Sequence, residues 1–212
     1  MNPDYYVYTD GSCVNNGQPS AMAGIGVYFG PNDPRNVSRR VVGKQSNNTA
    51  ELGAIIDAYK IIEKDVKAGK RVTIVADSTY AIRAATTYGE KCAAEGWKKE
   101  IPNKELVQEA FNLFRNQPNI QFKQVLGHTG GTDVHSVGND GADRLANQAV
   151  GLDSCPYANE QPARPSKIYL NIPYARKEEG KGMGAMWDAG KKKWYIMDTN
   201  PNKAGLLEMF GF

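Results

Sequence analysis

Four acidic residues occupy positions where a charged side chain is costly to place. Asp10 ends an apolar, strand-like run, YYVYTDG, and Asp77 ends a second one, RVTIVAD. Glu51 lies in the first turn of a predicted amphipathic helix, and Asp143 lies within a later helical segment. Because apolar surroundings disfavour the charged form of a carboxyl group, these positions are candidates for chemistry.

The positions of Asp10 and Asp77 predict that the two side chains meet. In a mixed α/β sheet, the carboxyl ends of neighbouring strands open into one crevice, where such folds bind ligands. Carboxylates that lie so near one another raise one another's pKa, and they ionise together only when a cation neutralises them. Oxygen donors without Cys or His clusters favour a hard ion, Mg²⁺ or Mn²⁺, which also takes phosphate oxygens as ligands. The pattern therefore predicts a divalent-metal site that handles a phosphate-bearing substrate.

Each carboxylate taken alone also has a structural interpretation. Asp10, which precedes Gly11, is typical of a turn. Glu51 is typical of an acidic residue near a helix N-terminus, where the helix dipole favours negative charge, and Asp77 is typical of a helix cap. Only the set as a whole favours a metal site.

The elements that position these residues follow from the periodicity of the sequence. Strands are predicted at YYVYTDG, AGIGVYFG, VSRRVVGK, RVTIVAD and IQFKQVLG. Helices are predicted at SNNTAELGAIIDAYKIIEKDVKAGK, STYAIRAATTYGEKC, KELVQEAFNLFRN and NDGADRLANQAVG. The order of these elements is three strands, a helix, a strand, helices, a strand and a helix. This order indicates the α/β class, with helices on the faces of a mixed sheet.

A proline-bearing stretch divides the chain. We predict a catalytic domain over residues 1–151, a linker over 152–166 that holds three prolines, and a small α+β module over 167–212. The module contains two strand-like runs, KIYLNI and KKWYIM. From residue 166 onward the chain carries 8 Lys and Arg against 5 Asp and Glu. The module is therefore the basic part of a chain whose net charge is +3.

Composition excludes several classes of protein. With 41% hydrophobic residues the chain has enough apolar material for a core, but no run approaches the about 20 residues that span a bilayer. The start, MNPDYYVYTDGS, shows no secretory signal, so we expect a cytoplasmic or nuclear protein. Cys13, Cys92 and Cys155 lie far apart, which predicts reduced thiols rather than disulfides or a zinc site.

Five segments together resemble the type 1 ribonuclease H family. They are YTDGS at 8–12, NNTAEL at 47–52, VADS at 75–78, GHTGG at 127–131 and GNDGADRLA at 138–146, and the resemblance covers about residues 5–150. It implies a ribonuclease H-like mixed five-stranded sheet. It also implies an endoribonuclease that hydrolyses the RNA strand of RNA–DNA hybrids with two metal ions, leaving 5′-phosphate and 3′-hydroxyl ends.

The resemblance assigns roles to individual residues. Asp10, Glu51, Asp77 and Asp143 match the family's metal-binding carboxylates, which would hold two Mg²⁺ ions, with Mn²⁺ as a substitute. His128 matches the histidine of a flexible catalytic loop, where an unperturbed imidazole can move a proton at neutral pH. The other histidine, His135, has no family match, and we expect it to face solvent.

The resemblance also implies contacts with the hybrid. The positions near the RNA strand and the minor groove are Gly11, Ser12, Cys13, Asn16, Asn47 and Asn48. Those that hold a phosphate of the DNA strand are Lys44, Ser46 and Asn103. Trp97 fits the basic protrusion that grips the DNA strand in many cellular relatives. That protrusion is shorter and less basic here, and Tyr88 and Cys92 stand where tryptophan is common, so we expect a weak grip.

The tail, IYLNIPYARKEEGKGMGAMWDAGKKKWYI, resembles a small module attached to DNA-processing proteins, with the pattern YLNVPY, GA-x-WD and K-x-WY. Its Trp187, Trp194 and Tyr195 either stack on bases or form the core of the module, and we expect Trp187 in the core. The expected partner of the chain is an RNA–DNA hybrid, with the tail contacting nucleic acid or a protein. The expected state is a monomer without membrane contact.

Two other functions share part of this pattern. One is an inert nucleic-acid-binding scaffold, which the presence of all four carboxylates disfavours. The other is a DNA-cutting recombinase or resolvase of the same broad fold, which would share the acidic residues but lack NNTAEL and GHTGG. Cleavage of a labelled hybrid beside duplex DNA and duplex RNA separates the three.

Overall fold

The computed structural model describes residues 2–127, 131–152, 167–197 and 200–211. It divides into two compact units, Met1–Ala158 and Asn159–Phe212. Residues 153–166 of the predicted linker, Cys155 among them, lie outside the described residues. In the described part, Cys13 and Cys92 are free thiols, and no helix there is both long and apolar enough to cross a membrane.

The first unit is built on a five-stranded mixed sheet. Its strands are β1 (Tyr5–Val14), β2 (Met22–Tyr28), β3 (Val37–Arg40), β4 (Val72–Ala76) and β5 (Ile120–Gln124). Its helices are α1 (Asn47–Lys67), α2 (Thr79–Ala85), α3 (Thr87–Ala94), α4 (Lys104–Phe114) and α5 (Val134–Ala149). The strand order is β3-β2-β1-β4-β5, with β1–β2 and β2–β3 antiparallel and the pairs β1–β4 and β4–β5 parallel. The predicted fold class is confirmed.

Strand β4, which lies between β1 and β5, shows why this sheet carries helices on both faces. All five of its residues, VTIVA, are buried, as expected of a parallel strand covered on both sides. On one side Ile74 packs in the main core with Leu52 and Ile55 of α1. On the other side Val75 packs with Tyr8 and Ala142 of α5.

Helix α1 begins and ends with strong local signals. Ser46 accepts a hydrogen bond from the Thr49 amide, and the Thr49 hydroxyl accepts one from the Ser46 amide, which completes a capping box. The helix ends before Gly69, whose φ of +87° suits a residue without a Cβ. Since α1 starts at Asn47, Glu51 lies in its second turn and not in the first. The helix-terminus interpretation of Glu51 is therefore wrong.

The first hairpin is longer than the sequence predicts, and the third strand is shorter. Strand β1 continues past Asp10 to Val14, which pairs with Met22, so Asp10 lies within a strand and does not end one. Strand β3 stops at Arg40, and beyond it the Val41 amide still donates to the Ala23 carbonyl at 2.8 Å while the Gln45 side chain bridges the same two residues. The Gln45 side-chain amide accepts a hydrogen bond from the Ala23 backbone at 2.8 Å and donates one to the Val41 carbonyl at 3.0 Å.

Two helix boundaries also differ from prediction. The segment predicted as one helix from Ser78 is broken at Thr86, whose backbone leaves the helical region and whose hydroxyl donates to the Ile82 carbonyl at 2.7 Å. Helix α5 begins at Val134, five residues before the predicted start at 139, because Asp133 caps it by accepting from the amides of His135 and Ser136.

Helix α5 lies unusually close to strand β2. A Cβ at Gly26 would meet the backbone nitrogen of Ala146 at 2.7 Å, and one at Gly24 would meet the Ala149 side chain at 2.9 Å. No real side chain tolerates such distances, so glycine on the strand and alanine on the helix permit this approach.

The second unit is a small α+β module. Strands β6 (Lys167–Leu170), β7 (Met186–Asp188) and β8 (Lys193–Met197) form an antiparallel sheet in the order β6-β8-β7, with a 3₁₀ turn (Tyr174–Arg176) and helices α6 (Lys177–Gly182) and α7 (Lys203–Phe210). The members of its own core are Leu170, Ile172, Ala185, Ile196, Leu206 and Phe210. Trp187 is 51% exposed, so its expected place in that core is wrong. It lies on edge strand β7, where its ring packs edge-on against Trp194 at a centroid distance of 5.4 Å.

Candidate metal centre

Three carboxylates from three elements converge at one edge of the main sheet. Asp10 comes from the middle of β1, Glu51 from α1, and Asp77 follows the last residue of β4. One carboxylate oxygen of each lies within 4.8 Å of the other two. Asp10 and Glu51 are only 4% and 6% exposed. The structure thus brings Asp10 and Asp77 together as the strand order predicts, and adds Glu51 from the helix that packs on β1.

Glycines make this convergence sterically feasible. A Cβ at Gly11 would lie 2.7 Å from the backbone carbon of Ala50, so only glycine allows α1 to approach β1 beside Asp10. The Gly11 amide donates a hydrogen bond to the Asp10 Oδ1 at 2.8 Å and orients that carboxylate. At Gly127 an added Cβ would collide with the Asp77 carboxylate itself.

The electrostatics of the cluster favour cation binding. Burial raises the pKa of Asp10 well above its usual range, and the negative charges of Glu51, Asp77 and Asp143 raise it further. Burial likewise raises the pKa of Glu51, reinforced by Asp77. A bound cation would relieve both effects, because it restores the charged form and supplies the missing partner.

The cluster forms the floor of a cleft of about 630 Å³. The lining residues are Asp10, Gly11, Ser12, Cys13, Val14, Asn15, Asn16, Asn47, Glu51, Asp77, Asp143 and Asn147. Within the described part of the chain, this lining contains four carboxylates and no lysine or arginine. Asp143 is 7% exposed and faces the same cleft, although its oxygens lie outside the tight group of three.

Two asparagines that the sequence analysis missed hold carboxylates in place. Asn147 is 2% exposed; its amide donates to the Asp143 Oδ1 at 3.0 Å and accepts from the Ser12 hydroxyl at 2.6 Å. Asn139 donates to the Asp77 Oδ2 at 3.5 Å. The signal was present in the sequence, because residues 139, 143 and 147 are four apart and share one face of a helix.

The two histidines differ in what the structure says of them. His128 lies outside the described residues. His135 was expected to face solvent from a loop, and this is wrong. It lies in the first turn of α5, with its ring edge-on against Tyr6 at a centroid distance of 4.7 Å and its Nδ1 3.4 Å from the Tyr8 hydroxyl. Burial lowers the pKa of His135.

The expected contacts for the RNA strand divide into two groups. Asn16 and Asn47 are exposed on the cleft wall, where the Asn16 side chain accepts from the Asn47 amide at 3.2 Å. Gly11, Ser12 and Cys13 line the same cleft. Asn48 is also exposed, but it is not part of the cleft lining.

The residues expected to hold the DNA strand form a second surface. Lys44 donates to the Asn103 side chain at 3.3 Å, and Asn103 donates to the Tyr80 hydroxyl at 3.2 Å. The Ser46 hydroxyl is engaged in capping α1. Trp97 is half-buried against the main core, 6.4 Å from Phe111 between ring centroids, so part of this side chain serves packing.

Comparison with known proteins agrees with this architecture. Residues 2–151 match the family model described as RNase H, and residues 167–205 match a domain of unknown function (DUF5710). The chain is 36% identical over 154 residues to ribonuclease H1 of Mus musculus, which covers 71% of this chain and 51% of the mouse protein. It is 39% identical over 149 residues to ribonuclease H of Schizosaccharomyces pombe, which covers 68% and 52%. The chain thus spans about half the length of these curated relatives.

A solved structure gives the same result for the fold. The crystal structure of LC9-RNase H1, described as a type 1 RNase H with the type 2 active-site motif, superposes with a TM-score of 0.52 at 28% identity. The match covers 71% of this chain and 74% of that one. Because the family model spans well over half of the residues and the relatives agree with it, the chain belongs to the type 1 RNase H family.

Proposed function

We propose that this chain is a ribonuclease H that hydrolyses the RNA strand of RNA–DNA hybrids with two divalent ions and leaves 5′-phosphate and 3′-hydroxyl ends. The observation that carries the proposal is the group of buried carboxylates from β1, α1 and β4, whose oxygens lie within 4.8 Å of one another. Family membership and the names of the relatives support the same activity.

The donor set fits Mg²⁺. All ligand atoms are carboxylate oxygens, the choice of a hard ion that retains water and binds phosphate oxygens. Asp10, Glu51, Asp77 and Asp143 would hold two Mg²⁺ ions, with Mn²⁺ as a substitute. When bound, such ions activate the attacking water and stabilise the leaving 3′ oxygen of an in-line displacement.

The protein's own contribution is to hold the ligands and to shape the groove. Asn147 fixes Asp143, and Asn139 contacts Asp77, so both carboxylates are oriented before substrate arrives. The cleft that holds the carboxylates is also lined by short polar groups, Asn16 and Asn47 among them. Such groups suit the wide, shallow minor groove of an A-like hybrid, where ribose 2′-hydroxyls are displayed.

We propose that His128 moves a proton during departure of the leaving group or release of product. Its position in the sequence supports this role, since GHTGG follows strand β5. We expect His128→Ala to lower kcat by roughly 10²-fold or less, because proton transfer is one contribution beside the metal ions. Pre-steady-state and steady-state kinetics check this, and a change confined to KM would contradict the role.

Cleavage assays on three matched substrates test the proposed function. An end-labelled RNA–DNA hybrid, duplex DNA and duplex RNA of one sequence are incubated with the chain in Mg²⁺, in Mn²⁺ and in EDTA. We expect cleavage of the RNA strand of the hybrid only, in either metal and not in EDTA. Phosphatase sensitivity of the product ends identifies the 5′-phosphate. No cleavage would indicate an inert scaffold, and cleavage of duplex DNA would indicate a DNA-cutting relative.

The roles of the two units and the oligomeric state are also proposals. The units over 1–151 and 167–212 would act as a catalytic domain and an accessory module, because the four carboxylates and His128 all precede the linker. We propose that the chain acts as a monomer, since one chain supplies the whole carboxylate cluster. Sedimentation at assay concentrations tests this.

A further inference from the structure

The sheet of the C-terminal module has a second face, opposite the one that α7 covers. Side chains alternate between the two faces of a strand, so Ile168, Leu170 and Ile196 point to the core that α7 covers with Leu206. The other face carries the alternate residues. They are Lys167, Tyr169, Met186, Asp188, Lys193, Tyr195 and Met197. We call these seven residues the open face.

Two tyrosines form the centre of the open face. Tyr169 and Tyr195 are direct partners across β6 and β8, and their ring centroids lie 6.0 Å apart. Each ring has a lysine above it: Lys167 lies 4.2 Å from the centroid of Tyr195, and Lys191 lies 4.7 Å from that of Tyr169. Paired aromatic rings with cationic neighbours offer both stacking surfaces and positive charge.

A run of three exposed lysines borders the open face. Lys191, Lys192 and Lys193 occupy the turn and start of β8, and all three are exposed. Asp188 organises this turn by accepting hydrogen bonds from the amides of Gly190 and Lys191 at 3.1 and 3.0 Å. Asp188 also pairs with Lys167 at 2.8 Å, so among the described residues of this region Lys191, Lys192 and Lys193 are positive charges in excess of that pair. The border is therefore strongly basic.

We propose that the open face binds an unpaired stretch of a nucleic acid strand, with bases stacked on Tyr169 and Tyr195 and phosphates held by Lys191, Lys192 and Lys193. Aromatic rings beside a basic track are the combination by which proteins hold single strands without reading sequence. A duplex could contact the lysines but not the tyrosine rings, because its bases are already stacked on one another and only its phosphates are available. This binding does not depend on the nuclease activity proposed for the first unit.

The lysines above the tyrosine rings are compatible with this binding. A cation on a half-buried ring is held more weakly than a stacked base, so an arriving base displaces the ammonium group from the ring. The Lys167 ammonium group then keeps its ion pair with Asp188 at 2.8 Å. The long, flexible Lys191 side chain, displaced from Tyr169, reaches the adjoining phosphate.

Binding of labelled single strands to full-length protein tests the proposal. The probes are fluorescent oligo-dT and oligo-U of about 12 nucleotides, a length within the range that single-strand-binding folds occupy. Titrations in EDTA prevent cleavage. We expect Tyr195→Ala to weaken binding about ten-fold, the loss of one stacked base. Tyr195→Phe is the matched control and keeps wild-type affinity, because the hydroxyl it removes contacts only the Met186 sulfur at 3.8 Å among the described residues.

Charge variants give a second, independent measurement. Changing Lys191, Lys192 and Lys193 together to Gln should flatten the plot of log Kd against log salt by about 2, since each phosphate contact on a single strand contributes about 0.7. The control changes the same number of lysines on the helical side of the module, Lys177, Lys181 and Lys203, and should leave the slope unchanged. The two oligonucleotides show whether DNA or RNA is preferred.

Several results would overturn the proposal. Wild-type affinity and salt slope in both Tyr195→Ala and the Lys191–193 variant would show that the open face does not bind single strands. Equal losses in the two lysine variants would show that only net charge matters. Melting temperatures establish that each variant is folded. Cleavage of a blunt hybrid by the same variants should be unchanged, and failure of the wild type to cleave it would contradict the nuclease proposal alone.

Discussion

The carboxylate-lined cleft and the open face of the C-terminal module carry opposite charges, although we propose that each binds a polyanion. In the cleft, negative charge is buried: Asp10 and Glu51 are almost inaccessible, and burial, reinforced by the neighbouring carboxylates, raises the pKa of both. At the open face, positive charge is exposed: Lys191, Lys192 and Lys193 are exposed residues beside two tyrosines. The cleft therefore meets phosphate only through a cation, whereas the open face needs none. The comparison teaches that metal dependence and salt dependence belong to different parts of one chain.

The largest expected effect comes from removing one charge in the cleft. Asp10→Asn should lower the rate of hybrid cleavage by about 10³-fold or more, because a lost ligand charge weakens capture of the ions that stabilise the transition state. Hybrid binding in EDTA should change little, since the groove contacts remain. Rate and Kd measured on one hybrid test this. Near wild-type turnover in saturating Mg²⁺ would contradict the assignment of Asp10.

The same substitution should stabilise the metal-free fold. Asn keeps the Oδ1 that accepts from the Gly11 amide but lacks the buried charge. Since the folded-state pKa of Asp10 is raised above 3.8, the folded wild type binds more protons than the unfolded chain, and its stability falls as pH rises through that window. We therefore expect the melting temperature of Asp10→Asn to exceed that of wild type in EDTA at pH 7. The gap should close as pH falls towards 3.8. If the difference in melting temperature between Asp10→Asn and wild type did not vary with pH, the buried charge of Asp10 would not be its cause.

A smaller effect is expected where a neutral residue supports the cleft. Asn147→Ala should weaken activation by Mg²⁺ by about 10- to 100-fold, because it removes the hydrogen bond that orients Asp143. Activity is measured against Mg²⁺ concentration. We expect the midpoint of this titration to move to higher Mg²⁺, with activity restored at high Mg²⁺. Ser12→Ala is the control: it removes the hydroxyl that donates to Asn147, and although it can change KM as an expected contact to the RNA strand, it should leave the Mg²⁺ midpoint unchanged because the bond from Asn147 to Asp143 remains. If Asn147→Ala loses activity at every metal concentration, the orienting role is wrong.

The smallest effect on chemistry is expected from deleting the module. Truncation after Gly151 should leave an active nuclease, because the cores of the two units share no residue among those described. Hybrid affinity should fall about ten-fold or more for substrates with a single-stranded extension, and the salt slope should flatten by about 0.7 for each lost contact. Kd against salt for blunt and extended hybrids tests this. An unchanged slope together with a lower melting temperature would mean that the module only stabilises the chain.

Much of the first unit could be predicted because its signals are local and strong. The continuous apolar run of β4 and the three-to-four spacing of Leu52, Ile55 and Ile56 leave few alternatives, and the meeting of Asp10 with Asp77 follows from strand order alone. The sequence did not predict the full length of β1. Its last residues, SCV, precede a run of polar and turn-forming residues, and they belong to the sheet because each finds a partner on β2: Gly24, Ala23 and Met22.

The features that the sequence did not predict depend on contacts between residues that are distant in sequence. Asn147 supports the cleft because α5 crosses β1, which brings it to Ser12 across 135 positions of chain. Trp187 was expected in a core by its size, but β7 is an edge strand of three residues and offers it one aromatic neighbour. Propensity and periodicity contain no information about which strand is at the edge of a sheet.

The glycines at 24 and 26 have a consequence that reaches beyond packing. They set the thickness of the layer between β2 and α5, and α5 carries Asp143. Because α5 can approach β2 this closely only where a side chain is missing, the two glycines help to set how far Asp143 lies from the other carboxylates. A larger residue at either position would push α5, and Asp143 with it, away from the sheet.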